Sequence, residues 1–181
     1  VYLGPAINEG DATSTMNEYD VADSYGVIEE VTPRIVAEML ANGNVIARCS
    51  GRMEFGHRAL GNRTIMADPR DPAIVRKINN QIKFRDFWMP FSPTILAERA
   101  HDYLENPKDV EAPFMTLAFD TTNLGAEELR AALHPADFTA RPQILERETN
   151  PGYYDIIKEF EQLTGVGALL NTSFNLHGLP I

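Results

Sequence analysis

One cysteine, Cys49, is present in 181 residues. An internal disulfide is thereby excluded, and a lone thiol fits a reducing, cytoplasmic setting. Long apolar runs are missing as well, and so is a secretory leader, so neither a membrane span nor a membrane partner is expected. Base is scarce relative to acid: 16 Lys and Arg stand against 26 Asp and Glu, a net charge of −10. That balance argues against general affinity for nucleic acid, which needs a broad positive surface. The four histidines, His57, His101, His134 and His177, show no ligand spacing, and no Cys-x-x-Cys occurs. No metal site is therefore expected in this piece. The Gly-x-x-x-x-Gly-Lys-Ser/Thr and Gly-x-Gly-x-x-Gly nucleotide loops are absent too. The first residue is Val1 rather than Met, and Ile181 directly follows an apolar stretch, so the chain is expected to be a fragment of a longer one.

Against this acidic background, the stretch from Arg48 to Arg85 holds nine basic residues and only three acidic ones, Glu54, Asp68 and Asp71. Nine minus three gives +6 here, which leaves −16 for the rest of the chain. Most of these bases are arginine, whose planar guanidinium grips a phosphate or carboxylate with two parallel hydrogen bonds. Gly51, Gly56 and Gly61 lie among them, where backbone must turn tightly or come close to something. A packed site for a small anion is the economical reading.

At this length, with 44% hydrophobic residues, one domain around one core is expected. Residues 1–30 carry seven acids and no base and are expected to be a loosely ordered acidic linker, with the domain itself over 31–181. Thr32 and Pro33 predict a capped helix start, Ile35, Val36, Met39 and Leu40 its apolar face, and Gly43 its end. Val45–Cys49 reads as a buried strand and Thr64–Ala67 as a second, stopped by the turn residues Asp68, Pro69 and Arg70. Asp71 and Pro72 open a helix that brings Lys83 and Arg85 to its C-terminal end. Phe84, Phe87, Trp88, Met89 and Phe91 predict an aromatic knot packed in the core, stacking on a base being the alternative. Strands are expected over Ser92–Leu96, Phe114–Phe119, Pro142–Glu146 and Val166–Leu170, and helices over Ala97–Leu104 and Gly125–Leu133. A further amphipathic helix starts at Asn150 and Pro151, with Tyr153, Ile156, Ile157, Phe160 and Leu163 inward. Such intermixing predicts a layered α/β fold.

For a nucleotide or acyl phosphate, the charge would be met by Arg52, Arg58, Arg63, Lys83 and Arg85 converging from loop and helix end. For any one of them alone, a surface arginine or a structural ion pair stays open, exposed pairs contributing only ~0 to 1 kcal/mol. Alternation along residues 171–175 places Asn171, Ser173 and Asn175 on one side of a strand end, where ligands sit in open α/β sheets. A polar turn closing the strand is the alternative. Glu54, the only carboxylate between Arg48 and Ala67, is expected to pair with an arginine, a ribose hydroxyl or a water being the other options. Cys49 is expected to be a small core residue.

These residues together carry a resemblance. The run from Gly51 to Arg70 (Gly-Arg-Met-Glu-Phe-Gly-His-Arg-Ala-Leu-Gly-Asn-Arg-Thr-Ile-Met-Ala-Asp-Pro-Arg), Lys83 and Arg85 with Pro90 and Phe91, Thr139 to Arg141, and Asn171 to Asn175 form its motifs. They resemble the C-terminal domain of the O-carbamoyltransferase family, which includes nodulation-factor enzymes of the NodU and NolO types and those of cephamycin and tobramycin biosynthesis. The likeness covers nearly all of the chain from about Val31 and departs from the family's pattern at His57, Met89 and Leu179. It implies a YrdC-like fold, a twisted mixed sheet flanked by helices, in which Lys83, Arg85, Ser173 and Asn175 echo the Lys-x-Arg and Ser-x-Asn signatures of threonylcarbamoyl-adenylate synthases.

The resemblance further implies that the domain binds ATP with Mg²⁺ and the donor carbamoyl phosphate, and forms carbamoyl-adenylate. Arg58 and Lys83 would be catalytic, and Arg52, Arg58, Arg63, Lys83, Arg85, Arg141, Asn171, Ser173 and Asn175 would bind nucleotide and donor. An N-terminal Kae1-like domain of the same polypeptide, the expected seat of an iron ion, would pass the carbamoyl group to a hydroxyl of a nodulation factor or another sugar or secondary metabolite. Two other readings of such a domain are an RNA-binding YrdC-like module and a non-catalytic docking domain with a degenerate site.

Overall fold

The computed structural model describes every residue except Arg85, Phe87, His177, Gly178, Pro180 and Ile181. In chain order it forms β1 (Ala6–Ile7), α1 (Glu9–Glu18), α2 (Val21–Ser24), α3 (Pro33–Ala41), β2 (Ile46–Cys49), β3 (Gly51–Arg52), β4 (Arg63–Ala67) and α4 (Ala73–Ile78). There follow β5 (Ser92–Leu96), α5 (Ala100–Tyr103), α6 (Asn123–Glu128), β6 (Gln143–Leu145), α7 (Pro151–Thr164) and β7 (Ala168–Ser173). Five strands make one mixed sheet in the order β2-β4-β7-β5-β6, antiparallel throughout except for the parallel β5–β6 pair.

Successive side chains of β4 and β7 point to opposite sheet faces, and both faces are covered. Met66 and Leu169 join α3 and α7 through Leu40, Tyr153, Ile157 and Phe160. Ala67 and Leu170 meet Ile74 and Ile78 of α4 and Phe91 on the other side. With both faces covered, every residue of β4 and β5 is buried, the polar Arg63, Thr64, Ser92 and Thr94 included. Each fully buried Leu, Ile or Phe contributes about 1.5–3 kcal/mol of transfer free energy, so these two layers hold the sheet.

The helix ends follow their capping residues. Thr32 accepts the backbone N–H of Ile35, with Pro33 at the first helical position. Asn150 accepts the N–H of Tyr153, and Gly165 closes α7 at φ 84°. α4 runs on through a π turn over Asn79–Lys83, which brings Lys83 to the tip of β7.

Several expectations are corrected. Residues 1–30 carry local structure rather than loose chain: α1 has a capping box between Asn8 and Asp11, and residues 1–7 lie along residues 51–55. That docking rests on backbone bonds, Gly4 N–H to Met53 O at 2.9 Å, Met53 N–H to Pro5 O at 2.8 Å and Phe55 N–H to Val1 O at 2.7 Å, which composition does not encode. β2 is a half-buried edge strand, and Cys49 points outward, because only one side of β2 has a neighbouring strand and one face of it a covering layer. Phe114–Phe119 is not a strand; Met115 sits at φ 55°, and only Phe119 pairs, in a single bridge to Ala140. The aromatic knot does not pack as core either. Phe91 is buried, but Phe84 leaves the π turn at φ 48° and is 70% exposed, and Trp88 is 55% exposed. Phe87 lies outside the described residues. Leu163 is at the rim rather than inward.

Candidate functional site

The polar ends of the sheet converge at one place. Register sets Thr64 opposite Ser173 and Ser92 opposite Asn171, while Gln143 pairs with Thr94. Above them runs the loop from Met53 to Asn62. Glu54 shapes that loop from inside: its Oε1 accepts the backbone N–H groups of Leu60, Asn62 and Arg63 at 2.8, 2.8 and 3.3 Å. The expected Glu54–arginine pair does not form, because backbone donors reach this buried oxygen first.

Gly56 and Gly61 turn the loop at φ 142° and 115°. At Gly61 there is no room for a side chain, since a Cβ would sit 2.3 Å from Tyr153 Cδ1. Arg48 props the same turn from below, its Nη1 donating to Gly61 O at 2.5 Å and Asn62 Oδ1 at 2.8 Å. Burial lowers the pKa of Arg48, yet the guanidinium stays charged at any ordinary pH.

A relay of neutral side chains carries the loop on the sheet. Asn171 Nδ2 donates to Ala59 O at 3.1 Å and to Thr94 Oγ1 at 3.0 Å. Thr94 donates to Gln143 Oε1 at 3.0 Å, and Gln143 Nε2 to Leu60 O at 3.1 Å. Thr64 Oγ1 closes the set on Asn171 Oδ1. The phenol of Tyr2 adds a second donor to Leu60 O at 2.7 Å. Thr94, Gln143 and Tyr2 were not among the sequence candidates, and Glu54 was expected to meet an arginine, a ribose hydroxyl or a water rather than to hold the loop. Polar residues set inside apolar strand runs, as Thr94 and Gln143 are, were the available signal.

The loop presents Arg58. It and Arg141 line one hollow of about 120 Å³ together with Ser92, Asn171 and Ser173. In each arginine Nε is buried and has no acceptor. No carboxylate pairs with either among the described residues. Burial, and then the charge of Arg141, lower the pKa of Arg58, as expected for two cations held together without a counter-ion. A second hollow, about 250 Å³, adjoins the first through Arg58 and Ser173 and is lined also by Glu54, Arg63 and Asn175. A third, about 140 Å³, lies beyond Arg141 against Phe91, Ala118 and His134.

The remaining candidates are placed differently. Lys83 is 3% exposed; its Nζ donates to Ser173 Oγ at 3.2 Å, Asn175 O at 2.7 Å and Asn175 Oδ1 at 3.1 Å, and also to Ser173 O. It ties down the tip of β7 and holds Ser173 and Asn175 at the hollow. Arg63 is buried, its guanidinium donating to Asn62 O at 2.7 Å, Ser50 O at 3.3 Å and Gly51 O at 3.4 Å. Arg52 donates to Tyr2 O and Leu3 O at 3.1 and 2.8 Å and so fastens the N-terminal strand. Asn171 is the hub of the relay. Arg85 lies outside the described residues. Among the described residues no group of three or more His, Cys, Asp or Glu is placed to hold a metal ion, and no helix is long and apolar enough to cross a membrane.

The family described as Carbamoyltransferase C-terminus matches residues 37–181, which takes in the loop, both arginines and β7. The chain belongs to the carbamoyltransferase C-terminus family. Similar members include an uncharacterized protein of Methanocaldococcus jannaschii, 43% identical over 99% of this chain and 29% of its own length. Nodulation protein NolO of Bradyrhizobium diazoefficiens is 38% identical over 100% of this chain and 33% of its own length. Nodulation protein U of Rhizobium tropici is 32% identical over 98% and 28%. This carbamoyltransferase C-terminus thus spans about a third or less of the curated relatives it matches.

Proposed function

We propose that this domain is the donor-activating part of an O-carbamoyltransferase: it binds ATP and carbamoyl phosphate and forms carbamoyl-adenylate with release of pyrophosphate. The observation that carries the reading is the pair Arg58 and Arg141, two cations with unpartnered buried Nε groups in one hollow with Ser173. A site of this kind fits phosphoryl oxygens, the acceptors that arginine binds best.

In the proposed sequence, carbamoyl phosphate is hydrolysed to carbamate and phosphate. A carbamate oxygen then attacks the α-phosphorus of ATP, and the bond to pyrophosphate breaks. Negative charge grows on phosphoryl oxygens throughout, and Arg58 and Arg141, half-buried in one hollow with their Nε groups unpartnered, are placed to stabilise it. Lys83 acts at this site by holding Ser173 and Asn175 in place. Mg²⁺ would arrive with the nucleotide, whose phosphates supply most of its ligands. Transfer to the acceptor hydroxyl, of a nodulation factor or another sugar or secondary metabolite, falls to the rest of a longer polypeptide, in the expected Kae1-like domain.

Carbamoyl-phosphate-dependent exchange of labelled pyrophosphate into ATP, measured on the full-length protein, tests this reading. Arg58→Ala and Arg141→Ala are each expected to lower exchange by about a hundredfold or more, the scale of losing one charge-stabilising donor. Exchange that survives both substitutions unchanged overturns the site.

A further inference from the structure

Glu54 holds the loop with one carboxylate oxygen only. The other, Oε2, is buried and has no hydrogen-bond donor, in a side chain 8% exposed. Glu54 lines the hollow of about 250 Å³ that Arg58 and Ser173 share with the arginine pair's hollow. A buried carboxylate oxygen without a donor is costly, and native proteins keep such a group where something else completes it. A fully ionised phosphoryl group cannot, since it offers only acceptors to an acceptor. Arg52, the cation nearest in sequence, directs its guanidinium to the carbonyls of Tyr2 and Leu3, and Arg63 directs its own to those of Ser50, Gly51 and Asn62.

We propose that Glu54 Oε2 is a specificity determinant for the donor substrate, accepting an N–H from the –NH₂ group of the carbamoyl moiety while Arg58 and Arg141 hold the phosphate. This rests on the reading above and deepens it. The carbamoyl –NH₂ persists in carbamoyl phosphate, carbamate and the adenylate, so one acceptor serves every stage. Acetyl phosphate has the same shape with a methyl group in that place and no donor for Oε2. A site built around a hydrogen bond rejects the analogue that lacks it, because the buried acceptor is then left unpaired.

The test compares the binding of carbamoyl phosphate and acetyl phosphate to the full-length protein by calorimetry, in wild type and in Glu54→Gln. The Gln side chain keeps one oxygen for the N–H groups of Leu60, Asn62 and Arg63 and replaces the free oxygen with a donor. Wild type is expected to prefer carbamoyl phosphate by roughly ten- to a hundredfold, the range of a hydrogen bond to a charged group. Glu54→Gln should lose that preference through weaker carbamoyl phosphate binding, with acetyl phosphate unchanged. Equal affinity of wild type for the two ligands refutes the proposal while leaving the arginine site standing, and needs no variant that folds. A parallel loss of both ligands in Glu54→Gln makes Glu54 merely structural, and a preference that appears only with Mg²⁺ makes it a metal ligand; either result overturns the proposal. Failure of wild type to bind both ligands overturns the functional reading and this inference with it.

Discussion

Arg58 and Arg141 face the same hollow from separate parts of the chain, one on the β3–β4 loop and one just before β6, and among the described residues that line it there is no acid. Two like charges so placed destabilise the free protein and favour a bound anion. Without ligand, Arg58→Ala is therefore expected to be at least as stable as wild type, since its removal relieves repulsion. A ligand at a hundred times its dissociation constant stabilises wild type by about 2.7 kcal/mol, and Arg58→Ala should lose most of that gain. Thermal melts with and without inorganic phosphate or ATP check both halves; a variant that melts lower on its own and still responds to ligand contradicts the assignment.

Lys83 is expected to behave in the opposite way. Its ammonium sits among oxygens of Ser173 and Asn175. Lys83→Met leaves several half-buried acceptors without their shared donor, so it should cost roughly 1–3 kcal/mol in urea unfolding even without ligand. A variant with wild-type stability and lost ligand binding would mean that the lysine meets the substrate directly.

Gly61→Ala tests the loop itself. Its Cβ would fall 2.3 Å from Tyr153 Cδ1 at a φ of 115°. Overpacking and backbone strain act together, and a loss of about 3 kcal/mol or more is expected. Gly43→Ala, where no atom lies within 4 Å of the added Cβ but φ is 78°, isolates the strain alone and should cost less.

Alkali should unfold the domain through its tyrosines. Burial, offset in part by the Gly167 N–H and the charge of Arg99, pushes the pKa of Tyr103 up to about 12. The hydrogen bond that Tyr154 donates to Glu98, and then burial, push Tyr154 up to about 12 as well. Below the ordinary value of 10, both folded and unfolded chains keep these protons, and stability does not depend on them. Above it the unfolded chain ionises first, binds fewer protons than the folded one, and stability falls as pH rises toward 12. Urea melts across this range should show the decline, and Tyr154→Phe should make it shallower. A decline of equal slope in the variant would remove Tyr154 from the account.

Much of the element order was legible because it is written in local chemistry. Thr32 with Pro33 and Asn150 with Pro151 announce helix starts by capping, and Gly165 announces an end by its freedom at positive φ. Thr64–Ala67 and Ser92–Leu96 read as strands because apolar runs of that length bury on two faces. Phe114–Phe119 misled for the same reason: aromatic and β-branched content measures fit to a sheet, and here no neighbouring strand was available. Arg58, Arg141 and Ser173 stood out by residue type and motif, and the fold does bring them to one hollow.

Sequence by itself determined the capping, the periodicity of α3 and α7, the concentration of arginine in an acidic chain, and the family. Tertiary structure alone decided which arginines are free to meet an anion. Arg52 and Arg63 have the same chemistry as Arg58, but their guanidinium groups donate to backbone carbonyls, two for the exposed Arg52 and three for the buried Arg63. Hydrogen-bond partners from residues distant in the chain are set by strand register and loop path, which no local pattern records. Glu54 shows this most plainly: one oxygen is claimed by three backbone N–H groups within nine residues, and the other is left open by the fold.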